Sequence, residues 1–443
     1  MTMAVKDPDT FLKERSDSSF FRVERIPLQA LSEWRIADRL MHASGRFFTV
    51  EGLSVYTNFG PMPRWFQPII VQPEIGILGI LVKRIEGEYH FLMQAKMEPG
   101  NSTLVQYAAT VQATPSNYQR VHGGRSQPYL QYFLERNRRR ILVDLLLSEH
   151  ASWYLHKRNR NMIVEVPPDE EVPLEADFTW LTLGQLRHQL ARGNRVNMNA
   201  RTVLSCIAYG AEPDWSVGDS ARDDFHAQVI ESHRSGRSDT DLSTAMTWLN
   251  DQKANFHLDV RRIALRDMDD WVCDEDSFRH REGRYFQIVG LSIGATSREV
   301  ASWNQPMLEP TPGNVVAFIC RHRSGVLEFL VQAVVQPGLM DRVELAATIQ
   351  LSPGDYRGRQ DFPPLAEYLH APDSWVRLKN VQSEDGGRFL QADTTHVVIN
   401  VPDDHVIETP DNYCWMSLGV LNRLISSGYY VNVQARSLLA CML

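Results

Sequence analysis

The sequence predicts an α+β protein built as two like domains in tandem, each a mixed sheet flanked by helices. Two observations carry this expectation. The first is that the chain repeats itself: Gln94-Ala95, Pro99-Gly100, Ala108-Ala109-Thr110 and Pro115 return as Gln332-Ala333, Pro337-Gly338, Ala346-Ala347-Thr348 and Pro353, all displaced by 238 positions. Gly52-Leu53-Ser54 recurs as Gly290-Leu291-Ser292, and the block from Trp180 to Gly184 recurs from Trp415 to Gly419, displaced by 235. A period this long describes whole domains, each able to bury its own core, whereas solenoid repeats are far shorter. The second is that apolar runs of strand length alternate with helical spacings in each half. Residues 1–206 form the first unit, 207–255 a helical spacer and 256–443 the second unit.

Taken in order, each half opens with a helical stretch closed by a tryptophan, Leu28 to Trp34 and Leu265 to Trp271. β-type runs follow at Phe47 to Val50 and Tyr285 to Ile288. Two strong strands come next, Ile77 to Arg84 with Tyr89 to Met93, and Val315 to Arg321 with Leu327 to Val331. Glycine between such runs signals a hairpin. A further strand covers Ala108 to Ala113 or Ala346 to Leu351. A helix is expected around Tyr129 to Leu147, its counterpart beginning near Leu365. A strand into a proline turn, Met162 to Pro167 or Val397 to Pro402, then leads to a terminal helix. There Leu183, Leu186 and Leu190 share a face and Gly193 stands as the C-cap, a pattern repeated by Leu418, Leu421, Ile425 and Gly428.

The chain of 443 residues is 43% hydrophobic and 23% charged with a net charge of −8, an ordinary globular composition that gives no reason to expect nucleic acid as a partner. Its longest apolar runs, such as Ile77 to Val82, are too short to cross a bilayer, and the polar start lacks a signal peptide's apolar core. Five cysteines without paired spacing read as reduced thiols, pointing to the cytoplasm; Cys206 and Cys441, at equivalent positions, read as core side chains. No GxGxxG, GxxxxGK[ST], HExxH or GxSxG motif is present, and no cysteine–histidine set has zinc spacing. Neither a cofactor nor a metal is therefore expected.

Three blocks carry a family resemblance: Phe66 to Gly79; Gln112 to Tyr118 with Arg120 to Arg125; and Lys157 to Glu165. Gln382 to Phe389 is the corresponding segment of the second half. Together they resemble the NDP-hexose 2,3-dehydratases of antibiotic deoxysugar pathways. The resemblance implies a homodimer of chains, each a fused pair of Nudix-type domains, acting on dTDP-4-keto-6-deoxyglucose. It also implies a ketoreductase or aminotransferase acting on the product. Nudix hydrolysis needs the clustered carboxylates of RExxEE to hold metal ions. No RExxEE occurs here, so the scaffold is expected to have left that chemistry behind.

Removing the C-2 hydroxyl of a 4-keto sugar needs no oxidant. The C-3 proton is α to the ketone, so its removal gives an enolate that expels the C-2 hydroxyl, yielding a 3,4-diketo-2,6-dideoxy sugar. The site must supply a base for C-3, an acid for the leaving hydroxyl and donors for the C-4 oxygen. Candidate catalytic residues are His122, in a glycine-flanked loop, Tyr107, Glu98 and Lys96. Candidate substrate contacts are Trp65 for thymine, Gln67, Gln72, Glu74, Tyr118 and Tyr154, with Arg125, Lys157, Arg158 and Arg160 for diphosphate. Alternation places Arg158 and Arg160 on one face of a strand and Lys157 on the other. A second pocket would use Trp303, Gln305, Tyr356, Arg359 and Arg388.

The repeat lets the halves be compared. Lys96 aligns with Val334, Glu98 with Gln336, Asn101 with Leu339 and Tyr107 with Leu345, while the block His156 to Asn161 aligns with Gln391 to His396. The first half keeps more titratable groups and is expected to hold the working pocket. Two other readings are a Mg-dependent nucleotide-sugar diphosphate hydrolase and a nucleotide-sugar binding protein without catalysis.

Overall fold

The computed structural model describes residues 7–103, 105–115, 127–135, 140–207, 224–236, 238–295, 301–356 and 362–443. Two seven-stranded mixed sheets carry the two halves, and their strand orders match. In the first, Arg140–Ser148, Arg158–Val166, Gly76–Ile85, Glu88–Met97 and Phe178–Thr182 lie side by side. Val105–Ala108 pairs with Glu88–Met97, and Val111–Ala113 with Gly76–Ile85. The second sheet runs Val376–Ser383, Asp393–Asn400, Asn314–Arg323, Val326–Val334 and Tyr413–Ser417 in the same way. Each has one parallel pair, Arg158–Val166 against Gly76–Ile85 and Asp393–Asn400 against Asn314–Arg323.

The long hairpins form where the glycines predict them. Glu86 and Gly87 have φ of 53° and 87°, Ser324 and Gly325 of 52° and 85°. Two successive residues in the left-handed region make the tight turn whose twist matches its strands. The terminal helix Leu183–Leu190 is opened by a capping box between Thr182 and Gln185, and Leu418–Ser426 is capped by Ser417. The two glycines after them differ. Gly428 has φ of 106° and closes its helix in the left-handed region. Gly193 does not: a methyl group there would fall 2.7 Å from the Val381 carbonyl oxygen, so it permits contact between halves. A second short helix follows in each half, Met198–Leu204 and Val433–Ala440.

Two helical expectations resolve differently. The stretch Tyr129 to Leu147 holds only one helical turn, Gln131–Leu134, and then the strand Arg140–Ser148. In the second half the 3-10 turn Ala366–His370 leads to the strand Val376–Ser383. Both strands run antiparallel to the parallel-paired strand, and that ladder overrides an ambiguous apolar spacing. The tryptophan-closed openings are 3-10 turns, Leu28–Ala30 and Leu265–Asp267, with Trp34 and Trp271 each starting a short strand.

Two five-stranded sheets join the halves by exchange. Phe21–Ile26, from the start of the chain, pairs with Phe286–Ala295 of the second half. Leu258–Ile263 pairs with Thr49–Thr57 of the first. The spacer helices Asp224–Arg234 and Asp239–Asn255 pack on the second half, where Val229, Ala245 and Leu249 enter its core. The helix Pro8–Ser18 packs on the first half through Phe11 and Leu12. No helix among the described residues is long and apolar enough to cross a membrane.

Candidate active site

The halves meet along a seam that repeats itself about an approximate two-fold relation. The Gly338 amide donates to the Ala151 carbonyl at 2.8 Å, and the Gly100 amide to the Gly386 carbonyl at 2.8 Å. The amides of His156 and Gln391 donate to the carbonyls of Gly338 and Gly100 at 2.8 and 2.7 Å, and both residues have positive φ. Residues 151–156 of the first half thus form the same turn as 386–391 of the second, each resting on a glycine of the other half. Those glycines are needed for contact: a methyl group on Gly338 would fall 1.7 Å from the Tyr154 carbonyl oxygen, and one on Gly100 1.7 Å from that of Phe389. Tryptophan and glutamine brace each turn. Trp65 Nε1 donates to Gln67 Oε1 at 2.8 Å and Gln67 Nε2 to the Ser152 carbonyl at 2.8 Å; Trp303, Gln305 and Gly387 repeat this at 3.0 and 3.0 Å.

Within this frame the first half gathers buried charge. The Tyr154 phenol, in a residue 2% exposed, donates to Asp385 Oδ2 at 2.7 Å. Asn159 Nδ2 donates to Glu149 Oε1 at 2.7 Å, and Lys157 Nζ to the Glu74 carbonyl. Burial holds the Lys157 ammonium down to about 8, with Arg388 adding to the effect and Glu149 opposing it. Burial also raises the Glu149 carboxyl and, with Asp385 beside it, lifts the Tyr154 phenol well above its ordinary range.

The Asp385-to-Arg388 turn links this group to a second one. Gly386 lies against Glu98 and Asn101. Lys96 Nζ is 3.2 Å from Glu98 Oε1 and donates to Gln112 Oε1 at 3.0 Å. Asn197, the N-cap of the helix Met198–Leu204, donates to Gln112 Oε1 at 3.2 Å. The buried Asn101 has no protein partner for either amide atom among the described residues, and a buried amide so placed calls for a polar partner, a water or a ligand.

The equivalent ground in the second half is different. Tyr154 becomes Phe389, Lys157 Ala392, Asn159 Thr394 and Arg388 Trp153. Phe389 packs against His150, Trp153 and Tyr154 at ring distances of 5.5, 4.6 and 5.3 Å. His150 Nε2 lies 2.9 Å from Glu384 Oε2, both residues buried. Burial works to raise the Glu384 carboxyl, but His150, helped by Arg201 and His396, outweighs it and holds the group at about 2. Arg201 and Arg436, wholly buried equivalents, donate to the carbonyls of Ser383 and Ser148 in the opposite half.

Comparison with known proteins fits this architecture. A family model described as NDP-hexose 2,3-dehydratase matches residues 6–207 and 242–442. A dTDP-4-dehydro-6-deoxy-alpha-D-glucopyranose 2,3-dehydratase of Saccharopolyspora spinosa is 44% identical over 98% of this chain and 90% of its own. The chain belongs to the NDP-hexose 2,3-dehydratase family. Proteins of the same description from Amycolatopsis orientalis and Streptomyces violaceoruber are 42% and 39% identical, covering 99% and 97% of this chain and 90% and 95% of theirs.

In this family member, of the residues singled out in the sequence, Lys96 pairs with Glu98, Tyr154 meets Asp385, and Lys157 reaches the Glu74 carbonyl; the Asp385 turn touches Glu98 through Gly386. Tyr107 is placed elsewhere. Its phenol donates to the Pro8 carbonyl at 2.8 Å and stacks on Phe11 at 6.3 Å, so it anchors the N-terminal helix, which explains why the second half has leucine there. Arg160 pairs with Asp144 across two strands, and Arg158 donates to the Tyr429 hydroxyl at 3.1 Å; the two share a face turned from Lys157, as alternation requires. Trp65 and Trp303 commit their indole N–H groups to the braces, and Gln67 and Gln305 serve as their partners. Gln72 is buried.

Arg388, assigned in the sequence to a second pocket, lies with its guanidinium 4.4 Å over the Phe48 ring of the first half, where its charge is felt by Tyr154 and Lys157. Tyr356 stacks on Phe362 away from the seam. Tyr118, His122, Arg125 and Arg359 lie outside the described residues. Sequence reasoning missed Glu149, Asn159, His150, Glu384 and Asp385. A helix over 129–147 hides the strand Arg140–Ser148 that delivers Glu149 and His150 to the seam, although the 235-residue register already sets Tyr154 against Phe389.

Proposed function

We propose that the chain removes the C-2 hydroxyl of dTDP-4-keto-6-deoxyglucose, at a pocket of the first half bounded by Lys96, Glu98, Tyr154 and Lys157. The observation that supports it most is the buried set of Tyr154, Lys157 and Glu149, with Asp385 on the phenol, at one place on the seam, where the equivalent place has Phe389, Ala392, Glu384 and His150. Glu98 fits the base that takes the C-3 proton. Lys157, an ammonium easily persuaded to release its proton, fits the donor to the departing C-2 oxygen, and Lys96 the charge facing the C-4 enolate. Proton removal leaves an enolate, expulsion of the protonated hydroxyl as water forms the enol, and tautomerisation gives the 3,4-diketo-2,6-dideoxy sugar. The scaffold we take to be of Nudix type, the chain to act as a cytoplasmic homodimer, and the second half to retain a nucleotide-sized pocket without turnover. Such a diketo product would pass to a ketoreductase or aminotransferase.

Incubating the protein with the dTDP-ketosugar in the presence of EDTA tests this directly. Loss of the C-2 hydroxyl, with maltol and free dTDP as decomposition products, is the expected result. Release of a sugar phosphate only when Mg²⁺ is added would establish a hydrolase in its place, and an unchanged ketosugar a binding protein.

A further inference from the structure

The two equivalent places on the seam hold the same backbone turn, so their side chains can be compared one against one. At the first, the Tyr154 phenol donates to Asp385 at 2.7 Å. At the second, phenylalanine stands for the tyrosine, as Phe389, and histidine for the aspartate, as His150. The phenol and the carboxylate occur together at one place and are both missing at the other. A hydrogen bond required to hold the turn would be required twice. Phe389 fills its position 1% exposed, so the fold closes this turn without a phenol. Burying a carboxylate against a phenol is also costly to stability, which weighs against a purely structural pair. Of the remaining differences, Arg388 against Trp153 adds a charge that acts on the phenol, and Lys157 against Ala392 adds one that acts on Asp385.

We propose that Asp385, supplied by the second half, is a positioning residue for the dehydration in the first half. By accepting the phenol's hydrogen bond it fixes the Tyr154 oxygen with its lone pairs turned away from Asp385, ready to accept from a hydroxyl of the sugar. The working pocket is thus completed by the lobe that does not itself turn over. This inference rests on the proposed dehydratase reading.

The test uses the full chain and the dTDP-ketosugar. Asp385→Asn and Tyr154→Phe should each lower kcat by about 10-fold or more while KM changes by less than about 3-fold. The double variant should fall no further than the worse single one, because the two residues act as a unit. Tyr154→Phe with Asp385→His reproduces the pair already present in the second half, so it should unfold at the wild-type temperature while losing the same turnover. Wild-type kcat in folded Asp385→Asn, losses that multiply in the double variant, or full turnover by the Phe/His variant would each overturn the proposal. A wild-type protein that leaves the ketosugar intact overturns the dehydratase reading, and this inference with it.

Discussion

Lys157 is a position that costs the fold stability and that the proposed reaction would use. Its side chain leaves the strand on the same face as Asn159 and Asn161, all three buried, and reaches the Glu74 carbonyl. Desolvation is the main reason its ammonium falls from 10.5 to about 8. The folded chain therefore binds this proton less tightly than the unfolded one. The charge destabilises the fold fully below about pH 8, and the penalty fades as pH rises from there through 10.5. Lys157→Met should cost about 100-fold in kcat. It should also unfold at higher denaturant than wild type near about pH 7, with the advantage shrinking toward about pH 10. Chemical denaturation of both proteins across that range checks this; an advantage that grows with pH would remove Lys157's buried charge from the account.

Among elements, the turns 151–156 and 386–391 matter most, because each is held by the opposite half rather than by its own sheet. Gly338 carries the first of them on its amide and carbonyl and leaves no space for a side chain. The obstruction is backbone, which cannot swing aside as a flexible side chain would. Gly338→Ala should therefore destabilise the protein by about 3 kcal/mol, near the upper end for overpacked sites. It should also reduce turnover further than its stability loss explains, since the displaced turn carries Tyr154. Urea unfolding with activity measured well below the midpoint separates the two effects. Normal activity at normal stability would mean that the seam yields more easily than its contacts imply.

At the scale of the molecule, the exchange of edge strands makes the halves interdependent. Without the second half, Thr49–Thr57 keeps neither Leu258–Ile263 nor the covered edge it provides, and Arg201 loses the Ser383 carbonyl it is buried against. An exposed edge strand invites aggregation, and a buried guanidinium without its acceptor is costly. Fragments 1–207 and 224–443 expressed singly should lack dispersed amide resonances, and mixing them after joint refolding should restore both the spectrum and turnover. A first fragment that is folded and active by itself would show that the second half only accompanies the site.

Much of this was legible in the order of the residues. The repeat gave the two matched sheets their correspondence, the glycine pairs gave the hairpins, and alternation separated Lys157 from Arg158 and Arg160. These features depend on neighbours a few positions apart, where backbone geometry and periodic burial leave direct marks. The same marks misled at Leu145 and Leu147, whose apolar spacing suits helix and strand alike until a neighbouring strand makes the choice. Tyr107 was unrepeated because it anchors a helix found in one half alone, a reason invisible without its contact to Pro8.

The sequence by itself determined two like α+β halves, membership in a dehydratase family, and the half richer in titratable groups. Only the tertiary structure decided that Asp385 meets Tyr154, that the halves exchange strands, and that Glu384 answers His150. Those partners lie more than two hundred positions apart, and nothing local encodes which distant surfaces will meet. The choice follows from burying both halves' apolar faces at once, which fixes the seam and, with it, the polar groups enclosed there.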